Sequence, residues 1–167
     1  MRFFSDNGGG GNGGNAPLRG AKGTMGEGGL RVPFLALWPG HLPAGRVTYA
    51  FLSSLALPAT LAAVAGAAPP HVDLDGFDMM PVLRGEVSSP RTEMFWQRRS
   101  DRAARVGRWK WLESGKGTGL YDLAADLGET KDLSTEKPDV LQKVKGRFDA
   151  WRQAMDATEP RGPFRDY

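Results

Sequence analysis

The sequence predicts an α/β fold followed by a small antiparallel sheet that a C-terminal helix closes. Three observations carry this. Residues 2–65 read as strand, loop, strand and helix from their apolar pattern. Residues 91–126 change character, to short segments in which aromatic and aliphatic residues mix with Arg and Lys. Residues 137–155 then place Val140, Leu141, Val144, Phe148, Trp151 and Met155 three or four positions apart, on one helical face.

Taken in order, "RFFSDN" is a short strand that ends in polar residues. Residues 8–15, "GGGNGGNA", are a loop by composition. "GLRVPFLALWPG" is a second strand, apolar almost throughout, as suits a strand covered on both faces; Pro39-Gly40 closes it. A helix is expected over residues 49–65, starting before Pro58 or kinked at it. Gly66 suits the position just past its end, with two prolines at 69–70 beyond. "VDLDGFDMMPVLRGE" gives a loop and a short helical turn ending at Gly85. "RTEMFWQRR", "AARVGRWKWLES" and "TGLYDLAAD" read as three strands, and Gly115, Gly117 and Gly119 suit a hairpin turn. The expected division is residues 1–85, residues 86–158 and a loose tail at 159–167.

At 167 residues the chain holds one domain, or one domain and part of another. A hydrophobic share of 40%, with five Trp, suffices for a core. Net charge is only +3. The one local excess is Arg98, Arg99, Arg102, Arg105, Arg108 and Lys110, offset by Asp101. It reads as a solvated strand pair with alternating Arg, since no nucleic-acid-binding motif accompanies it. The absence of cysteine excludes disulfides, a zinc ribbon and a thiol nucleophile within this chain, and leaves the compartment open. Residues 47–68 are uncharged and long enough for a membrane span. They are rich in Ala, Ser and Thr and interrupted by Pro58, so they read as a buried soluble helix. The chain opens inside a strand without a signal-peptide h-region, and is expected to be a piece of a longer protein.

Several motifs are decoys. Gly8, Gly10 and Gly13 satisfy G-x-G-x-x-G, but Asn15, Ala16 and Pro17 follow where a dinucleotide fingerprint needs a helix. "GKGT" at 115–118 lacks the strand-loop-helix context of a phosphate loop and reads as a hairpin. His41 and His71 lie in Pro-rich loops without ligand spacing and read as surface residues. Asp6 and Asn7 differ: adjacent carboxylate and carboxamide oxygens at a strand's C-terminal end are where α/β sheets place chemistry, and hard cations prefer such donors. Lys22 is a lone cation in "RGAKGTMGEGG", where glycines let backbone approach a ligand and an ammonium can face an oxyanion. A strand-end acid and amide followed by such a lysine suits the chemistry of anionic esters.

The run "FFSDNGG … LRGAKGTMGEGGLRVPFLALWPGHLPAG" closely resembles the sulfatases, whose order is Ser-Asp-Asn-Gly, Leu-Arg-Gly-x-Lys, Glu-Gly-Gly-x-Arg-Val-Pro and Trp-Pro-Gly. The resemblance continues through "SSLALPATLAAVAGA", "LDGFDMMPVLRGE", "VGRWKWLE" and "LYDLAADLGETKDLS", over about residues 3–155. It implies the C-terminal part of an alkaline-phosphatase-like fold of arylsulfatase type. It further implies that Asp6 and Asn7 are metal ligands, usually for Ca²⁺, and that Lys22 is the catalytic and substrate-binding lysine that contacts sulfate. Glu27, Gly28, Gly29, Arg31 and Pro33 match a signature that turns the loop back into a strand. Family members are secreted, periplasmic or lysosomal.

There are departures. Ala56 stands where the family commonly has Asp. The family's formylglycine arises from Cys or Ser in Cys/Ser-x-Pro-x-Arg, and no such segment occurs: "SSPRT" at 88–92 ends in Thr92. Paired acidic metal ligands and catalytic histidines are also lacking, and two ligands cannot fill a site that takes about six to eight oxygens. The implied partner is therefore the missing N-terminal half of the enzyme, and this chain alone is expected to be inactive. The implied substrate is an aryl or carbohydrate sulfate ester. Two alternatives stand beside it: a non-catalytic module that binds polyanions through its basic strands, and a related phosphoester or phosphonate hydrolase.

Overall fold

A computed structural model of the chain describes residues 2–10, 14–67, 74–115 and 117–158. Gly13, His71, the prolines at 69–70 and the tail at 159–167 lie outside the described residues. The elements run β1 (Arg2–Phe4), α1 (Glu27–Leu30), β2 (Phe34–Ala36), α2 (Ala56–Val64), α3 (Met80–Arg84), β3 (Glu93–Arg98), β4 (Asp101–Val106), β5 (Trp109–Ser114), β6 (Gly117–Asp122) and α4 (Pro138–Asp156). They form two compact units, Met1–Phe4 with Phe34–Thr92, and Ser5–Pro33 with Glu93–Tyr167. Residues 5–33, expected to group with the rest of 1–85, thus group with the later sheet.

In the first unit β1 and β2 pair antiparallel, with Phe3 opposite Leu35. The expected long, doubly covered strand is three residues with Leu35 62% exposed. Pro33 lacks an amide to extend the ladder, and the turn after Trp38 ends the run. The expected helix at 49–65 is confined to α2; residues 45–53 hold no regular element. Pro58 falls in its first turn, where a missing N–H breaks no helical bond. Gly66 takes φ +66 just past the C-cap and Gly85 takes φ +83 after α3, as their positions in the sequence predict. Thr60, buried, ties the two helices: its hydroxyl donates to the Ala56 carbonyl (2.6 Å) and accepts from the Met79 amide (3.0 Å). No helix of the described residues is long and apolar enough to cross a membrane.

In the second unit β3–β4–β5–β6 form an antiparallel meander. Four strands replace the expected three, because Gly107 (φ +59) turns the chain inside "AARVGRWKWLES". Side chains alternate across a strand, so Trp111 and Leu112 must face opposite ways. Trp111 packs with Ala104, Leu120, Val144 and Phe148 under α4, with the Phe148 ring edge-on to Trp111 at 5.3 Å. Ala103, Leu112 and Tyr121 line the other face and pack against Met25 and Leu30. That second face carries the candidate site.

Candidate anion and metal site

Asp6 and Asn7 directly follow β1 in the chain. The Ser5 hydroxyl donates to the Asn7 carbonyl at 2.7 Å and shapes the turn they occupy. The Gly8 amide donates to the Gly29 carbonyl at 3.1 Å. A Cβ at Gly8 would collide with the Gly28 carbonyl, so this approach requires glycine. The Lys22 amide donates to the Gly9 carbonyl at 3.0 Å. Asn15 reinforces the junction: its Nδ2 reaches the Gly9 and Gly20 carbonyls (3.3 and 3.0 Å) and its Oδ1 accepts from the Gly9 amide (3.2 Å). The turn bearing Asp6 and Asn7 and the turn bearing Lys22 are therefore joined by backbone bonds. Asp6 and Lys22 are exposed, and neither forms an ion pair within the described residues.

The Gly-rich segment rests on a buried ion cluster. Lys110 is fully buried, with Nζ 2.8 Å from Glu27 Oε1 and 2.8 Å from Glu129 Oε1. Glu129 Oε2 accepts from the Glu27 amide at 2.8 Å, at the start of α1. Arg31 Nη1 lies 3.8 Å from Glu27 Oε2, so two cations face two carboxylates. Burial lowers the pKa of Arg105, the residue opposite Lys110 on β4, while the Glu27 charge pushes it back up. From α1 the support runs outward: the Gly28 amide donates to the Arg19 carbonyl at 2.8 Å, and the Gly29 carbonyl receives Gly8. The Arg19 guanidinium in turn donates to the Tyr121 hydroxyl at 2.6 Å, tying this segment to β6.

Lys110 corrects the reading of the basic run as solvated strand. It is buried because its face of β5 is covered by residues 19–30, which lie far away in the chain. The signature of Glu27, Gly28, Gly29, Arg31 and Pro33 does lead into β2, by way of a one-turn helix that Glu27 opens, with its carboxylate in the cluster. Glu129 was not singled out by sequence reasoning. Lys110 stands between Trp109 and Trp111, but its neighbours in sequence do not say which face of β5 is covered. His41 lies exposed in its loop with its ring 4.1 Å from Trp38, as a surface histidine should.

The donor set fits a hard divalent cation in kind, since Asp6 and Asn7 offer carboxylate and carboxamide oxygens. It does not complete one. Among the described residues no group of three or more His, Cys, Asp or Glu could hold a metal.

The fold is the C-terminal part of the alkaline-phosphatase-like fold, with a small antiparallel sheet and terminal helix. The crystal structure of Ps i-CgsB in complex with k-i-k-neocarrahexaose matches 90% of this chain and 35% of its own, with a TM-score of 0.77 and 33% identity. The sulfatase family model matches residues 1–67. Arylsulfatase A from Homo sapiens is 37% identical over 179 aligned positions, 87% of this chain and 35% of its own length. N-acetylgalactosamine-6-sulfatase from Canis lupus familiaris is 35% identical over 168, covering 79% and 32%. The chain belongs to the sulfatase family and corresponds to the C-terminal portion of its relatives. It spans about a third of the length of the curated relatives it matches.

Proposed function

We propose that this chain forms one wall of the active site of a sulfate-ester hydrolase of arylsulfatase type. The observation that carries this reading is the bond from the Lys22 amide to the Gly9 carbonyl, 3.0 Å, which joins the turn of Asp6 and Asn7 to the turn that presents the Lys22 ammonium. Asp6 and Asn7 hold a divalent cation, Ca²⁺ by family resemblance, together with ligands from outside this chain. When bound, the cation supplies Lewis-acid polarisation of a sulfate oxygen. Lys22, a cation without a carboxylate partner in the described residues, offsets charge on a further sulfate oxygen while the alcohol departs. The nucleophile, a formylglycine by resemblance, has no source in this sequence. The substrate is an aryl or carbohydrate sulfate.

In the enzyme that unites this segment with the nucleophile, Lys22→Ala is expected to lower kcat/KM for an aryl sulfate by about 10²–10³-fold, by analogy with loss of one oxyanion donor. The melting temperature should not change, because the side chain is exposed. A loss below about threefold would remove Lys22 from the chemistry. The 167-residue chain alone should not hydrolyse the ester.

A further inference from the structure

The basic run at 98–110 is not one patch. Lys110 is buried, Arg108 is paired with Asp122, Arg105 is half-buried beside Glu27, and Arg102 lies 3.9 Å from Glu113. What remains is Arg98 and Arg99, both exposed at the turn between β3 and β4 and without a carboxylate partner within the described residues. Asp101, opposite Arg98 in the β3–β4 register, accepts from the Gly115 amide at 3.4 Å and forms no ion pair with either arginine within the described residues. Arg98 Nη1 donates to the Gly23 carbonyl at 3.1 Å. Gly23 follows Lys22 in the chain, so the β3–β4 turn is fastened against the turn that presents the Lys22 ammonium. Arg99 sits at φ +56, a left-handed turn position that favours Gly or Asn, yet a bulky cation occupies it.

Arg98 thus reaches the residue that follows Lys22, and Arg99 is its neighbour in the chain. A sulfate monoester carries a single negative charge, which one ammonium balances, so two further guanidinium charges exceed it. We propose that Arg98 and Arg99 form a subsite, beside Lys22, for a second oxyanion on the same substrate. The preferred substrates are then sulfate esters of sugars that carry a further sulfate or carboxylate, with singly charged esters as poorer ligands. This inference rests on the reading of Lys22 as the sulfate-facing residue, and adds the class of substrate. It also accounts for the guanidinium chemistry: planar, fixed donors suit sulfate and carboxylate, and Arg98 is already oriented by the Gly23 carbonyl.

The test uses the 167-residue chain and NMR titration of its backbone amides at low ionic strength. The probes are a neutral disaccharide bearing one sulfate, the same disaccharide bearing two, and a monosulfated disaccharide containing a uronate. At least one dianionic probe is expected to bind about three- to tenfold tighter than the monosulfate, the scale of two exposed charge contacts, with shifts at Lys22, Gly23, Arg98 and Arg99. Comparing the two dianions shows whether sulfate or carboxylate fills the subsite. The double variant Arg98→Gln, Arg99→Asn keeps an amide donor for Gly23 and a residue suited to the turn. It should remove the preference of the dianions over the monosulfate, while the shifts at Lys22 and Gly23 persist. Equal binding of all three probes, or a preference that survives the double variant, overturns the subsite while leaving Lys22 in place. A preference without any response at Lys22 marks a separate polyanion surface and overturns it too. If no sulfate perturbs Lys22 or Gly23, the reading of the site fails with it.

Discussion

Replacing Lys110 by Met removes a fully buried ammonium that sits 2.8 Å from each of two carboxylates. The unbranched stem is kept one atom shorter, and the charge is lost with its N–H donors. Breaking a buried pair from one side costs about 3–5 kcal/mol, because the remaining charge is desolvated and uncompensated. Here two carboxylates remain, which pushes the figure up, while Arg31 at 3.8 Å stays to offset one of them, which pulls it down. A loss of about 3 kcal/mol is the expected net, a large part of a typical total of about 5–15 kcal/mol. Urea unfolding followed by Trp fluorescence should show the midpoint falling by about 1–3 M, for a slope of about 1–3 kcal/mol per M. A companion variant, Glu27→Gln, Lys110→Met, Glu129→Gln, removes all three charges and should recover most of the loss. A single variant within about 1 kcal/mol of the parent would refute the claim that Lys110 is the buried counter-ion beneath the Gly-rich loop.

Two further outcomes follow from the same structure. Asp122 has a lowered pKa, chiefly from the Arg108 side-chain hydrogen bond (Nε to Oδ1, 2.6 Å) and then from the Ala124 and Ala125 amides. A lowered folded pKa means its stabilisation is present above the unfolded value of about 3.9 and is lost as pH falls through the folded one. Asp122→Asn should therefore melt lower than the parent at pH 7, with the gap closing in strong acid; an equal gap at both pH values would contradict this. In the first unit, β2 pairs only with β1 among the described residues, and Leu35 and Phe3 are 62% and 56% exposed. Its amides should exchange hydrogen at least about 100-fold faster than those of Trp111 and Leu112 in β5, and equal protection would show that something else covers the strand.

Features set by local geometry were legible in the sequence. The apolar spacing from Val140 to Trp151 marks α4, and Gly66 and Gly85 mark helix ends, because each depends on neighbours within a few residues. The strand count was less legible, since Val106-Gly107-Arg108 is a tight turn without the Asn-Gly or Asp-Gly signal that hairpins favour. Asp6, Asn7 and Lys22 are candidates by residue chemistry and order; the bond from the Lys22 amide to the Gly9 carbonyl leaves no trace in side-chain pattern, because backbone atoms make it. Lys110 shows where local reading fails in principle. Alternation along β5 states that Lys110 opposes Trp111, and says nothing about which face is covered. That depends on residues 19–30, some 80 positions away, folding over the sheet with Glu27 at the contact. The same distant contact explains the unevenness of the basic run. Burial and pairing absorb Arg102, Arg105, Arg108 and Lys110, and the charge left over stands at the β3–β4 turn, next to Lys22. A count of arginines in the sequence therefore overstates the unpaired surface charge, because contacts across the folded sheet decide which of them are buried or paired.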